Sequence, residues 1–170
     1  NLKTGSDYTL PVLYFNFGRY LMLSSVGDLP PNLQGIWNDR LNPPWDSDFH
    51  NNINLQMNYW ISDVCGLSEA NEALFSYVEK LIPSSKIAAK ELYGCRGVLY
   101  PIQTDPWSIS TPESKGWAVW VGAAAWLALH FMEHYEYTGD KVFLKNRAYP
   151  FFNECAEFYE DYLFLGDDGF

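Results

Sequence analysis

His50, Asn52 and Asn54, in the stretch FHNNINLQMNYW from Phe49 to Trp60, set one imidazole and two amides at every second position just ahead of an apolar helical pattern. An amide both donates and accepts hydrogen bonds, so such a row can grip a sugar hydroxyl or hold a water molecule in a fixed orientation. It cannot take up a proton near neutral pH, and any base must come from elsewhere. Residues two apart share a side of an extended segment but not of a helix. If the chain stays extended from His50 to Asn54, all three side chains project together. The competing reading is structural: Asn52 or Asn54 caps the following helix, Asn51 faces solvent and His50 is an incidental loop residue.

Other candidate chemistry is thinner. His130 and His134 lie four apart on one helix face with Glu133 between them, but HFMEH is not the zinc-protease order. Cys65, Cys95 and Cys155 are widely and irregularly spaced, which fits buried free thiols and allows at most one bridge. No glycine cluster forms a phosphate-binding loop and no serine sits in a nucleophile elbow. No cofactor and no metal ligand set is expected. Trp37, Trp45, Trp107 and Trp120 are either stacking platforms or packing residues, whereas Trp60, Trp117 and Trp126 fall in helical runs and are expected in the core.

The elements that must position these residues are helical. Apolar residues recur at steps of three and four from Tyr8 to Leu23, the stripe of an amphipathic helix. Gly27 to Asp48 is rich in Pro, Asn and Asp and reads as a long functional loop. A second helix is expected from about Leu55 to Val64, with Gly66 beyond its end. A third runs from Ser68 to Tyr93, broken at Pro83. Gly94 to Lys115 is a second irregular stretch, and the apolar run WAVWVGAAAWLAL opens a helix that continues to about Tyr137, buried on all sides. A short helix over Asp140–Ala148 and another over Pro150–Leu165 complete the pattern, with no alternating segment that reads as a strand. Helices joined by alternately short and long connections describe helical hairpins whose long loops gather at one end.

Composition bounds the function. The 170 residues are 48% hydrophobic, 19% charged and 18% aromatic, the profile of one folded domain with more rings than a helical core needs. Surplus rings suit the apolar faces of sugars. A formal net charge of −10 opposes binding to nucleic acid or to an anionic membrane. The acidic residues between Phe151 and Phe170 are expected on a solvated helix face. The longest apolar run is too short to span a bilayer. The opening NLKTGSDYTL carries no leader pattern and says little about compartment.

The segments NLQGIWND, LNPPWDS and HNNINLQMNYW, followed by TDPW, WAVWVGAAAW and HYEYTGD, resemble the inverting α-L-fucosidases of glycoside hydrolase family 95, and the resemblance covers essentially the whole chain. It implies an all-α fold, part of an (α/α)6 barrel with its pocket at the loop end. It implies that Asn52 and Asn54 position the attacking water, that His50 contacts the sugar, and that Asp105 and Trp120 are further pocket residues. The substrate would be a fucosylated glycan, with terminal α-1,2 linkages the first expectation. Such a substrate implies an extracellular or periplasmic setting. The lead YPIQTD and Val121, where relatives usually carry Pro, depart from the family pattern and bear on substrate preference. His50 favours fucose over L-galactose, because an imidazole crowds an added hydroxymethyl group. The family's general acid and base are expected in the remainder of the catalytic domain, so residues 1–170 are a single incomplete N-terminal part of the barrel, inactive alone and exposing apolar helix faces. Two alternatives stand beside this reading: another inverting (α/α)6 glycosidase such as an α-L-galactosidase, and a carbohydrate-binding or structural helical module.

Overall fold

The structure, a computed structural model of the chain, describes residues 7–111 and 120–167 together with Lys3, Gly5 and Gly169. Helix accounts for 58% and strand for 3% of the described residues, so the fold is all-α as expected. Helix α1 spans Leu10–Ser25, α2 Asn54–Tyr59, α3 Asn71–Tyr93 and α4 Ala123–Thr138. Helix α5 is the single turn Lys141–Phe143, which widens into a π turn over Leu144–Ala148 and runs directly into α6, Tyr149–Tyr162. Two strand pairs of residues also form: β1, Phe49–His50, and β2, Gln103–Thr104.

Local chemistry accounts for the helix limits. The Asp140 carboxylate accepts from the backbone N–H groups of Val142 (2.8 Å) and Phe143 (3.1 Å), an N-cap that starts the α5–α6 run. Helix α3 closes on Gly94, whose φ of +69° is the left-handed C-terminal cap that only glycine adopts without strain. The expected break at Pro83 does not occur: α3 continues through it. Leu74, Tyr77, Val78 and Leu81 before the proline and Ser85, Ala88 and Ala89 after it are all buried, and burial on both sides offsets the lost backbone hydrogen bond.

The main core lies where α3, α4 and α6 meet. The Phe75 ring centre lies 4.3 Å from that of Phe131 and 4.8 Å from that of Phe143, and the Phe131 centre 5.0 Å from that of Phe151, all in tilted packing. The Tyr100 hydroxyl donates to the Val78 carbonyl at 2.6 Å, satisfying the one polar atom that this ring carries inside. A smaller cluster of Ala89, Cys95, Leu99 and Phe158 joins the end of α3 to α6. All three cysteines are free, and Cys95 and Cys155 are buried.

The exposed apolar helix face expected of the chain is found on α1: only Met22 is buried, while Leu13, Tyr14, Phe17 and Tyr20 are exposed, because the described residues provide no element to cover that side. Three further expectations are corrected. Helix α4 buries Ala123, Ala124, Leu127, His130 and Phe131 on one face and exposes Leu129, so it is one-sided rather than buried all round; the Trp117 start of that run lies outside the described residues. The acidic end of the chain is not merely solvated, since Asp161 accepts from Arg96 and Glu154 pairs with Lys86 at 2.7 Å. Trp60, placed in the core by its helical spacing, is exposed beyond the end of α2.

Candidate functional site

Two long connections meet in the β1–β2 ladder. The strands are antiparallel, with Phe49 opposite Thr104 and His50 opposite Gln103. A pair this short needs anchoring. Phe49 packs its ring 5.0 Å from Tyr77 of α3, and the Tyr77 hydroxyl shares a very short hydrogen bond with the Thr104 hydroxyl. The ladder is thereby clamped to the core on one side and presents its loop residues on the other.

The extended segment ends sooner than its spacing suggests. Beyond His50 the chain turns over residues 51–53, and α2 begins at Asn54. Asn51 drives the turn. Its backbone N–H donates to the Ile102 carbonyl at 2.6 Å and its side-chain amide to the Pro101 carbonyl at 3.1 Å, while Gln56 donates to the Asn51 carbonyl at 2.6 Å. Asn51 is therefore fully buried rather than solvent-facing. The regular two-residue alternation of His50, Asn52 and Asn54 is not realised as one strand. The capping alternative is not realised either, for the N-cap position of α2 is Ile53 and no side chain caps it. Asn52 and Asn54 remain half-buried at the turn and the first helical position, and the Asn52 side-chain oxygen has no hydrogen-bond partner among the described residues.

His50 is buried, and its Nε2 lies 2.6 Å from Asp48 Oδ1. The two atoms are in close contact, although the line between them departs from ideal hydrogen-bond geometry. Gln103, the cross-strand partner of His50, donates its amide to Asp48 Oδ2. Burial raises the Asp48 carboxyl above the ordinary carboxylate value, against the opposing pull of Gln103 and His50. Just upstream, Trp45, Asp46 and Ser47 all hold positive φ, near +54°, +53° and +53°. Three successive non-glycine residues in the left-handed region are strained, and this turn delivers Asp48 to His50 and sets the Trp45 ring edge-on, 6.0 Å from the imidazole.

Asp48 and Phe49 form one wall of a cleft of about 640 Å³ whose other residues include Pro30, Asp46, Asp105 and Trp107. Asp105 accepts from the backbone N–H groups of Trp107 (2.9 Å) and Ile109 (3.2 Å) through Oδ1, which shapes its own loop. Trp120 is half-buried against the main core and borders a separate small cavity with Leu99, Tyr100, Pro101 and Ser110. Asp105 thus lies in the same cleft as Asp48, whereas Trp120 does not. Asn52 and Asn54 line neither of these cavities. A further cavity of about 370 Å³ separates α1 from α2 and is bounded by Met22, Trp37 and Met57.

Asp48 and Gln103 are the residues that inspection of motifs passes over. The signal was present for Asp48, which precedes His50 by two in an extended segment. Gln103 carries no local signal, since only the strand register brings it to Asp48. The His130 and His134 rings serve different ends. His134 Nδ1 pairs with Asp63 at 3.0 Å beside Asn71, and His130 packs edge-on to Tyr59. Among the described residues no group of three His, Cys, Asp or Glu side chains could hold a metal ion.

A buried imidazole with a carboxylate beside it, next to a cleft flanked by exposed indoles, can orient polar groups of a ligand and stack on its apolar faces. Similar proteins carry names in keeping with that chemistry. The chain is 43% identical over 174 residues to alpha-L-fucosidase 2 of Arabidopsis thaliana, covering 100% of the chain and 21% of that protein. It is 36% identical over 152 residues to a probable alpha-fucosidase A of Aspergillus niger, covering 86% of the chain and 19% of the relative. With a probable alpha-fucosidase A of Aspergillus oryzae it shares 45% identity over 98 residues, 56% of the chain and 14% of that protein. The chain thus spans about a fifth of the length of the first two. The family model described as the glycosyl hydrolase family 95 catalytic domain matches residues 1–169, and the chain belongs to that family.

Proposed function

We propose that this chain is the N-terminal part of a catalytic domain that hydrolyses terminal α-L-fucosyl linkages of glycans, α-1,2 linkages first among them, with inversion at the anomeric carbon. Inversion needs an acid on the leaving oxygen and a base acting on a water from the opposite face. Asn52 and Asn54 hold that water in line, His50 contacts the sugar, and Asp105 and Trp120 contribute to the surrounding pocket. The acid and base come from the remainder of the domain, which also covers the exposed apolar side of α1. The substrate places the enzyme outside the cell or in a periplasm.

The observation that carries the reading is the state of the two amides. Neither caps α2, neither is lost in the core, and the Asn52 carbonyl oxygen is unspent within the described residues. Orientation of the nucleophile is a large share of a glycosidase's barrier, so removing either amide is expected to lower kcat by about a hundredfold or more with little change in sugar binding. The test is release of L-fucose by the complete catalytic domain from an α-1,2-fucosylated oligosaccharide, with the anomer of the first product followed by NMR. Undiminished turnover in Asn52→Ala and Asn54→Ala overturns the water-positioning role. Binding without turnover in the unmodified domain identifies a carbohydrate-binding module instead.

A further inference from the structure

We propose that Asp48, itself fixed by Gln103, is a positioning residue that holds His50 in the tautomer with its proton on Nε2 and so leaves Nδ1 as a hydrogen-bond acceptor for a sugar hydroxyl. The second half of this statement rests on the sugar-contacting role of His50 proposed above. The first half rests on the geometry alone.

The argument starts from what each group can do. A neutral imidazole carries one proton, and whichever nitrogen faces a carboxylate keeps it, because an ionised carboxylate only accepts. Nε2 is the nitrogen that faces Asp48, at 2.6 Å, and even without ideal alignment a bare ring lone pair that close to a carboxylate oxygen would be repelled, so the proton is favoured there. The other carboxylate oxygen is occupied by the Gln103 amide N–H. Asp48 therefore cannot swing away without breaking a second contact, and the strand register that sets His50 opposite Gln103 holds all three side chains at one place. The His50 side chain is only 8% exposed and that of Asp48 only 16%, so water competes weakly for the pairing. The strained left-handed turn at Trp45, Asp46 and Ser47 is what brings the carboxylate to this position.

Asp48→Asn tests the arrangement because it keeps shape and removes the obligatory acceptor. With Gln103 still donating, the new amide presents its oxygen to Gln103 and its NH2 to His50, which forces the ring proton to Nδ1. Adding Gln103→Glu reverses the order: the new carboxylate accepts the NH2 group, and the carbonyl returns to His50. In the complete catalytic domain, ring 15N shifts of His50 are expected to report an Nε2 proton in the unmodified protein, an Nδ1 proton in Asp48→Asn and an Nε2 proton again in the double variant. KM for an α-1,2-fucosylated oligosaccharide should rise about tenfold in the single variant, the worth of one hydrogen bond, and recover in the double. An Nδ1 proton in the unmodified protein overturns the proposal without any variant having to fold. So does an unchanged tautomer in Asp48→Asn, or a KM that fails to recover when the tautomer does. A domain with no fucosidase activity defeats the functional reading instead, while the ring shifts still decide whether Asp48 sets the proton.

Discussion

Gly97 approaches α6 so closely that a β-carbon on it would lie 2.1 Å from the carbonyl oxygen of Glu154 and 2.5 Å from the amide nitrogen of Phe158. Its φ is +65°, a conformation that favours glycine. Around it the loop is stitched to the helix: Val98 donates to the same Glu154 carbonyl at 3.2 Å, and the backbone N–H of Arg96 to Asp161 at 2.8 Å. Both clashing atoms are backbone and cannot rotate aside. Gly97→Ala is therefore expected to lower stability by about 3 kcal/mol or more, with loss of the loop's contact with α6. Urea unfolding measures the first, and amide exchange at Arg96 and Val98 the second; a shift under about 1 kcal/mol would show that the loop can lift without cost.

Burial pulls the His130 imidazole down from 6.5 to about 4, with Asp63 pulling weakly the other way. The folded state thus favours the neutral ring, while the unfolded chain takes up a proton below its own higher value. The resulting stability is fully present above pH 6.5 and declines as pH falls toward 4, by about 3 kcal/mol in all. Replacing His130 with Leu should remove this portion of the acid sensitivity. Unfolding midpoints of both proteins at neutral and acid pH make the comparison, and parallel pH profiles would exclude the buried ring as the cause.

Arg147 ties the π turn to α3. Its Nε and one terminal nitrogen grip the two Glu79 oxygens at 2.7 and 2.9 Å, the other nitrogen reaches Glu72 at 2.6 Å, and the guanidinium lies 5.7 Å from the Phe75 ring centre. Lysine keeps the charge but loses the fork and the stacking. Arg147→Lys should cost about 1 to 2 kcal/mol, whereas Glu72→Gln, at an exposed partner, should cost under about 0.5 kcal/mol. Thermal unfolding separates them; equal losses would mean that charge alone matters.

What the sequence determined by itself is the helical periodicity and the motif chemistry. Helices α1, α3, α4 and α6 are legible in the spacing of Leu, Phe and Tyr, because an amphipathic helix writes its apolar face into every third or fourth residue. The block HNNINLQMNYW likewise announces its amides, since residue type is local information. Tertiary structure alone decided where those side chains go. Asn51 turns the chain at the point where alternation would have continued it as a strand, and it does so by bonding to Pro101 and Ile102, fifty residues away. Gln103 meets Asp48 only through a strand register between two loops. Pro83 stays helical because buried residues flank it on both sides. Each of these outcomes depends on partners distant along the chain, and a local pattern holds no record of them.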